Sequence, residues 1–148
     1  MTDIAAFPAL HDILVSGDNI QSRTFGEDVK AGQVVGFDTA LTTEVVKAMK
    51  AVAGENAIGV ALYDVLNGDK GAVAEDGCVV NIVNADDTAV IGAGADVIQN
   101  DNAVGGTVSA YAGSGAGQIV GRAREYNPGG AAGVARAVMI NTHDEVIT

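Results

Sequence analysis

The chain has very few of the residues that usually build an active site. It contains no tryptophan, one cysteine and two histidines, and 4% of its residues are aromatic. A single cysteine cannot form an internal disulfide, and Cys78 opens the apolar run that ends at Val83, so we expect a buried thiol. His11 and His143 are too far apart to give a zinc site its usual ligand spacing. We therefore predict no catalytic residues, no metal and no cofactor, and expect that the protein is not an enzyme.

Basic residues are also scarce. Eight lysines and arginines stand against 19 acidic residues, which gives a formal net charge of -11. Because phosphate groups are bound by clustered basic side chains, we expect neither nucleic acid nor an anionic membrane as a partner. Two explanations of the acidic excess stay open. One is solubility through net charge, and the other is adaptation to high salt, which the small number of lysines favours.

Long hydrophobic runs are missing as well. No apolar stretch approaches the ~20 residues that a membrane-spanning helix needs. The segment from Met1 to Pro8 has no basic region followed by an apolar core, so no signal peptide is expected. We therefore expect a soluble protein made in the cytoplasm. With 148 residues, of which 48% are hydrophobic and 20 are glycine, the chain can bury a core and form many turns.

What the chain does contain is an internal repeat at an offset of 62 residues. Between residues 31 and 133, nine pairs at this offset are identical: Ala31/Ala93, Gly32/Gly94, Val35/Val97, Val46/Val108, Ala48/Ala110, Gly59/Gly121, Ala61/Ala123, Gly68/Gly130 and Gly71/Gly133. Four of the nine are glycines, which are used where backbone geometry matters more than side-chain chemistry. The repeat therefore predicts two copies of a small β module, at about residues 29–83 and 91–141.

Short runs rich in Val and Ile, bounded by Gly, Asn and Asp, predict β-strands. The predicted strands are Gln33–Phe37, Thr43–Met49, Ile58–Tyr63, Val79–Val83, Ala95–Gln99, Gly106–Tyr111, Gln118–Arg124 and Val134–Ile140. The second of these also contains good helix formers, but its partner in the other copy does not, so a strand is favoured in both. The predicted fold is mainly β, a compact β-barrel or β-sandwich built from two repeats within residues 19–148.

Residues 1–18 stand outside the repeat and are predicted to form an N-terminal arm. Its apolar side chains are Phe7, Leu10, Ile13 and Leu14. A free terminus is poorly ordered unless it is tied down, so the arm either packs on its own chain or becomes ordered against a neighbour. We expect these four side chains to contact a partner protein or another subunit, with packing inside the chain as the alternative.

One short motif suggests a carrier function. Ala48-Met49-Lys50 resembles the core of the biotin-attachment motif, in which a lysine is presented at a hairpin turn of a duplicated β fold. Lys47 stands where that motif usually has Glu, and Ala51 stands where it usually has Met or Leu. A biotinyl- or lipoyl-type carrier domain modified at Lys50 is therefore the alternative function.

The order of the motifs in both copies resembles the small capsid decoration (cement) proteins of tailed bacterial and archaeal viruses. The resemblance is carried by residues 29–35, 58–62 and 68–73 in the first copy and by residues 93–98, 119–123 and 130–138 in the second. Each set gives a turn, a strand, a variable loop, a Gly-x-Ala strand, a glycine turn and a further strand. The resemblance covers about residues 19–141, which is most of the chain.

The resemblance implies a structural role in a virion. Such proteins bind the outside of an expanded capsid, often as trimers between major capsid subunits, and brace the shell against internal DNA pressure. It therefore implies a homotrimer, the major capsid protein as partner and a location on the capsid exterior. Arg122, Arg124 and Arg136 are expected to pair with an acidic capsid surface or with the chain's own carboxylates.

Overall fold

The structure is a computed structural model that describes residues 13–37, 44–48, 56–83, 91–99, 108–110, 117–125, 134–142 and 146–147. Within these ranges the chain forms twelve β-strands and no helix. Every ladder between neighbouring strands is antiparallel. The mainly β prediction is confirmed.

Five of the strands form one sheet. They are β2 (Ile20–Thr24), β3 (Val34–Phe37), β4 (Val46–Ala48), β5 (Asn56–Ala61) and β6 (Lys70–Ala74). Their order in the sheet is β2-β6-β5-β3-β4. A parallel bridge between Phe25 and Val46 joins the two edges at one point. This bridge does not extend into a ladder within the described residues, so the sheet is not closed into a barrel.

The other seven strands form the second sheet. They are β1 (Leu14–Ser16), β7 (Val79–Val83), β8 (Asp96–Gln99), β9 (Val108–Ala110), β10 (Gly117–Ala123), β11 (Val134–Ile140) and β12 (Val146–Ile147). The order is β1-β7-β11-β10-β8-β9, and β12 also pairs with β10. In the described part of the chain this sheet is open too. The barrel alternative is therefore wrong, and the chain forms two open sheets.

The two sheets share a five-strand arrangement. The order β7-β11-β10-β8-β9 in the second sheet repeats the order β2-β6-β5-β3-β4 of the first. The pairing of Val35 with Ala48 recurs 62 residues later as the pairing of Val97 with Ala110. Strands β6 and β11 are related by an offset of 65 residues instead, since Val73 pairs with Ala61 and Val138 pairs with Ala123. We call these two sets of strands unit 1 and unit 2.

Glycines fix the same two local geometries in both units. Gly32 and Gly94 have φ angles of 90° and 83°, which L side chains rarely adopt. Gly59 and Gly121 lie inside strands beside an irregularity in the ladder. A Cβ atom on Gly59 would meet the carbonyl oxygen of Ala74, and one on Gly121 would meet that of Met139. A close approach of the neighbouring backbone is therefore present at both glycines.

Two hydrophobic clusters lie on opposite faces of unit 1. One face carries Val35, Val46, Ala61 and Val73, which pack with Phe25, Val29 and Val65 from the connecting segments. The other face carries Val34, Val60 and Ala74, which belong to a larger cluster with residues of the second sheet. Unit 2 contributes Val80, Val97, Ala123 and Val138 to that cluster. The connecting segments therefore cover one face of unit 1, and the shared core lies between the other face of unit 1 and unit 2.

The described part of the predicted arm belongs to the body. Strand β1 pairs with β7, and the Asn81 amide donates a hydrogen bond to the Ile13 carbonyl at 2.8 Å. Ile13 is fully buried in the shared core, and Leu14 packs against it. An arm over residues 1–18 is therefore not confirmed, because strand pairing and apolar burial hold residues 13–16 on the sheet. Residues 1–12 lie outside the described part of the chain.

Candidate interaction surfaces

The seven predicted contact residues fall into three groups. Phe7 and Leu10 lie outside the described residues. Ile13 and Leu14 contact their own core, so the burial of Ile13 leaves none of its side chain for a partner. Arg122 and Arg124 are exposed at the end of β10. The backbone of Arg136 lies in β11, and its side chain is outside the described residues.

Two of these arginines lie on the face of unit 2 that points away from the shared core. Neighbouring strands place Asp96 beside Arg122, Arg122 beside Met139, and Met139 beside Val79. Alternate residues of the same strands, such as Val97 and Val138, point into the core. We name the surface formed by Val79, Asp96, Arg122, Arg124 and Met139 the outer face.

The outer face is held together by its own polar contacts. The Arg122 Nε donates to Asp96 Oδ1 at 3.0 Å, and 63% of the arginine side chain stays exposed. The Arg124 Nη1 lies 3.7 Å from the Met139 sulfur. The pairing with the chain's own carboxylate, one of the two expected alternatives, is therefore observed for Arg122. The exposed part of both guanidinium groups leaves this face with cationic and apolar character.

A different surface covers the opposite end of the layers. Residues 25–30 and 62–69 connect strands of unit 1 and bury Phe25, Val29 and Val65 against it. We name these two segments the cap. On its solvent side Tyr63 is 49% exposed and Leu66 is 63% exposed. The cap also carries four carboxylates and one lysine, so it is acidic.

Hydrogen bonds hold the cap in one conformation. Val29 and Val65 exchange backbone hydrogen bonds at 2.9 Å in both directions. The Ala31 amide donates to Asp64 Oδ1 at 2.9 Å, and the Asn67 amide donates to Asp28 Oδ1 at 2.8 Å. Apolar side chains on a braced loop lose little conformational freedom on binding. The backbone that carries Tyr63 and Leu66 is therefore already ordered before any contact forms.

The sequence pattern did not reveal the cap. The predicted strand Ile58–Tyr63 ends at Tyr63, and the sequence pattern makes no prediction for Leu66. A single Leu or Tyr in a connection carries no periodicity that separates an exposed side chain from a buried one. Asp64, Asp69 and the Asn67-Gly68 pair signal a solvent-facing turn, but they do not show which apolar side chains are exposed.

A third feature is an open cavity at the edge of unit 1. It measures about 310 Å³ and is lined by Ser22, Arg23, Thr24, Phe37, Glu44 and Lys70. The guanidinium of Arg23 lies 5.5 Å from the centre of the Phe37 ring. Its Nε and Nη2 each donate to the Glu75 carboxylate at 2.9 Å. Because Arg23 already contacts Phe37 and Glu75, we interpret the cavity as a result of this packing and not as a ligand site.

The same contacts set the charge state of Arg23. The hydrogen bond with Glu75 raises the pKa of Arg23, burial opposes this, and the Coulombic attraction of Glu75 adds to the increase. A base whose pKa is raised by folding loses that stabilisation only as the pH climbs through the raised value. The guanidinium therefore stays charged throughout the pH range in which proteins are normally studied.

Neither a known protein-family model nor a curated protein sequence matches the chain. Within the described residues, no group of three or more His, Cys, Asp or Glu side chains is arranged to hold a metal ion. The same residues include no helix with the length and apolarity to cross a bilayer.

Lys50, the residue of the carrier alternative, lies outside the described residues. The strands on either side of it, β4 and β5, do not pair with each other in the described structure. Both pair with β3, which lies between them. A lysine presented at a hairpin turn would join two paired strands, so this topology does not favour the carrier alternative.

Proposed function

We propose that this chain is a capsid decoration protein of a tailed virus, which binds the outer surface of the shell and stabilises it. The observation that carries the proposal is the position of the resembling motifs in the fold. Gly32 and Gly94 form equivalent turns, and Gly59 and Gly121 occupy equivalent strand positions. Two of the motifs that resemble decoration proteins, the entry turn and the Gly-x-Ala strand, thus occupy equivalent positions in both units.

We further propose that the two units are copies of one duplicated module. The common strand order, the common β3–β4 and β8–β9 register and the common ladder irregularity support this. Equivalent turn hydrogen bonds add to it: the Gly32 amide donates to the Ala61 carbonyl at 2.8 Å, and Gly94 donates to Ala123 at 2.8 Å. A duplicated module gives a rigid body with several extended surfaces from a short chain.

The mechanism of such a protein is the addition of buried interface at junctions of the shell. A standard protein interface buries on the order of 1,600 Å². A trimer that contacts several major capsid subunits gains from multivalency, so modest individual contacts become strong together. The acidic surface of this chain would keep decorated particles apart in solution. Phe7 and Leu10 remain the proposed arm contacts.

A coating assay tests the proposal. The purified chain is mixed with decoration-free expanded capsids made from the major capsid protein of the same genome, and the particles are sedimented. We expect saturable cosedimentation and a higher temperature of particle disruption. Binding no greater than that of an unrelated acidic protein would contradict the proposal.

A truncation separates the arm from the body. Removing residues 2–12 leaves Ile13 and β1 in place, so the body should stay folded. We expect this variant to lose coating if Phe7 and Leu10 contact the shell. Removing residues 2–17 also deletes β1, and we expect that variant to be destabilised. Full coating by the variant that lacks residues 2–12 would contradict the proposed role of Phe7 and Leu10.

A native mass spectrum tests both the oligomer and the carrier alternative. We expect unmodified subunits in a trimer, either in solution or when recovered from the shell. A covalent adduct on Lys50 would instead support the carrier domain and contradict the decoration proposal.

A further inference from the structure

The two units are stacked in the same direction, and this gives the molecule two different ends. In unit 1 the face with Val35 and Val73 is covered by the cap, and the opposite face enters the shared core. In unit 2 the face equivalent to the capped one, with Val97 and Val138, enters the shared core instead. The back of unit 1 therefore packs on the front of unit 2. The packing leaves the cap at one end and the outer face at the other.

The chemistry of the two ends is complementary. The cap presents Tyr63 and Leu66 among carboxylates that include Asp64 and Asp69. The outer face presents two arginines beside the half-buried side chains of Met139 and Val79. These are two of only four arginines in a chain of net charge -11. Arginine and aromatic side chains are enriched where protein interfaces bind most strongly.

We propose that the cap of one copy of this chain docks on the outer face of a second copy. The contact continues between chains the front-to-back packing that joins unit 1 to unit 2 within a chain. Leu66 and Tyr63 pack against Met139 and Val79, while Arg122 and Arg124 approach the carboxylates of the cap. Such a contact uses two different surfaces, so it produces a closed ring or an open chain of copies. This inference does not depend on the proposed function.

The charge pattern explains why this pairing is selective. Two caps that meet would bring acidic groups together, and two outer faces would bring together Arg122 and Arg124 from both copies. Like charges that face each other across an interface oppose association. The pairing of cap with outer face is the arrangement that places opposite charges together.

Charge reversal tests the proposal, with the oligomeric state read by sedimentation velocity and native mass spectrometry from micromolar to millimolar concentration. R122E/R124E reverses the outer face. N67K/D69K places two lysines beside Leu66 and neutralises the cap, because three carboxylates and three lysines then remain in it. It keeps Asp28 and Asp64, which bind backbone amides. We expect wild-type chains to associate and each double variant to associate at least about tenfold more weakly. Q21K/E44K adds the same charge as the cap variant outside both surfaces and should associate like the wild type.

Mixing the two double variants gives the decisive result. The two introduced glutamates of one variant then face the two introduced lysines of the other, so we expect the mixture to regain association. Because restored association requires folded partners, it also excludes misfolding as the cause of the loss. Wild-type chains that stay monomeric at every concentration would overturn the proposal. Double variants that associate alone as strongly as the wild type, or a mixture of folded variants that does not associate, would also overturn it.

Discussion

Units 1 and 2 differ most at four equivalent positions that run across their sheets. In unit 1 this row is Ile20, Ala74, Val60 and Val34. In unit 2 it is Val79, Met139, Arg122 and Asp96. The first row is apolar and lies against the shared core, whereas the second is amphipathic and forms the outer face. The backbone pairing is the same, so side chains alone decide which copy of this face is buried.

The comparison has a consequence for interfaces. A face that a fold can bury inside one chain is available for binding when its equivalent is left exposed. The Asp96–Arg122 pair keeps the outer face soluble, because a salt bridge at the surface satisfies both charges at little cost in stability. The same two positions hold Val34 and Val60 in unit 1, where neither charge would find water.

Substitutions at Val60 and at the equivalent Arg122 should show the largest difference in the free energy of unfolding. Val60→Arg places a charge in the shared core, and we expect it to lower the free energy of unfolding by about 3–5 kcal/mol. Arg122→Val at the equivalent exposed position should change it by less than about 1 kcal/mol. Urea denaturation measures both values. Should Val60→Arg fail to fold, Val60→Thr should still cost about 1–3 kcal/mol. Equal effects at the two positions would contradict the difference in burial.

Substitution of the strand glycines Gly59 and Gly121 should give the next largest loss of stability, and the loss should be similar in the two units. Gly59→Ala and Gly121→Ala each force a methyl group against a carbonyl oxygen of the next strand. We expect each to cost about 1–3 kcal/mol, as overpacking usually does. Gly92→Ala is the matched control, since a Cβ there meets nothing within 4 Å. A loss at only one of the two strand glycines would break the equivalence of the units.

A smaller effect is expected where unit 1 has a polar pair and unit 2 has an apolar residue. Glu75 binds Arg23 through two hydrogen bonds, whereas the equivalent position in unit 2 is the buried Ile140. Glu75→Gln removes the negative charge, and we expect it to cost about 1 kcal/mol because the pair is partly solvated. Thermal unfolding of the variant and the wild type checks this. A difference that persists unchanged in 1 M salt would contradict the electrostatic explanation.

The response to salt should be the most gradual effect, and it separates the two explanations of the acidic excess. Screening becomes nearly complete when the Debye length falls from about 10 Å at 0.1 M to about 3 Å at 1 M salt. Repulsion among dispersed carboxylates therefore predicts a melting temperature that levels off below 1 M. A halophilic adaptation predicts a steep rise into the molar range. A flat response would exclude the halophilic explanation.

Much of the fold could be predicted from the sequence because apolar β-branched runs mark buried strands. All eight predicted strands are present, although most bounds shift by a few residues. Strand β2 was missed because its sequence, Ile-Gln-Ser-Arg-Thr, is mostly polar at a sheet edge. Strand β6 is absent from the strands predicted from composition, and only the resemblance implies a strand after the glycine turn, because Lys70 and Gly71 look like the end of that turn. Edge position and neighbouring strands supply the stability that local propensity does not.

Other features depended on three-dimensional pairing. The matches of Gly68 with Gly130 and of Gly71 with Gly133 follow the offset of 62, but the strand register of β6 and β11 requires 65. Only the ladder shows this shift. The two exposed arginines of the outer face were singled out from the sequence, whereas Met139 and Leu66 were not. Exposure of an apolar residue depends on which layer covers it, and sequence periodicity does not contain that information.

Val60 of unit 1 is buried in the shared core, whereas the equivalent Arg122 of unit 2 is exposed. Cysteine labelling measures this directly, with Val60→Cys and Arg122→Cys compared at a dilution that keeps the chain monomeric. The wild type is the control, because its Cys78 is buried. We predict that Val60→Cys reacts at least about a thousandfold more slowly than Arg122→Cys, since it must wait for the core to open. Similar labelling rates at the two positions would contradict the account.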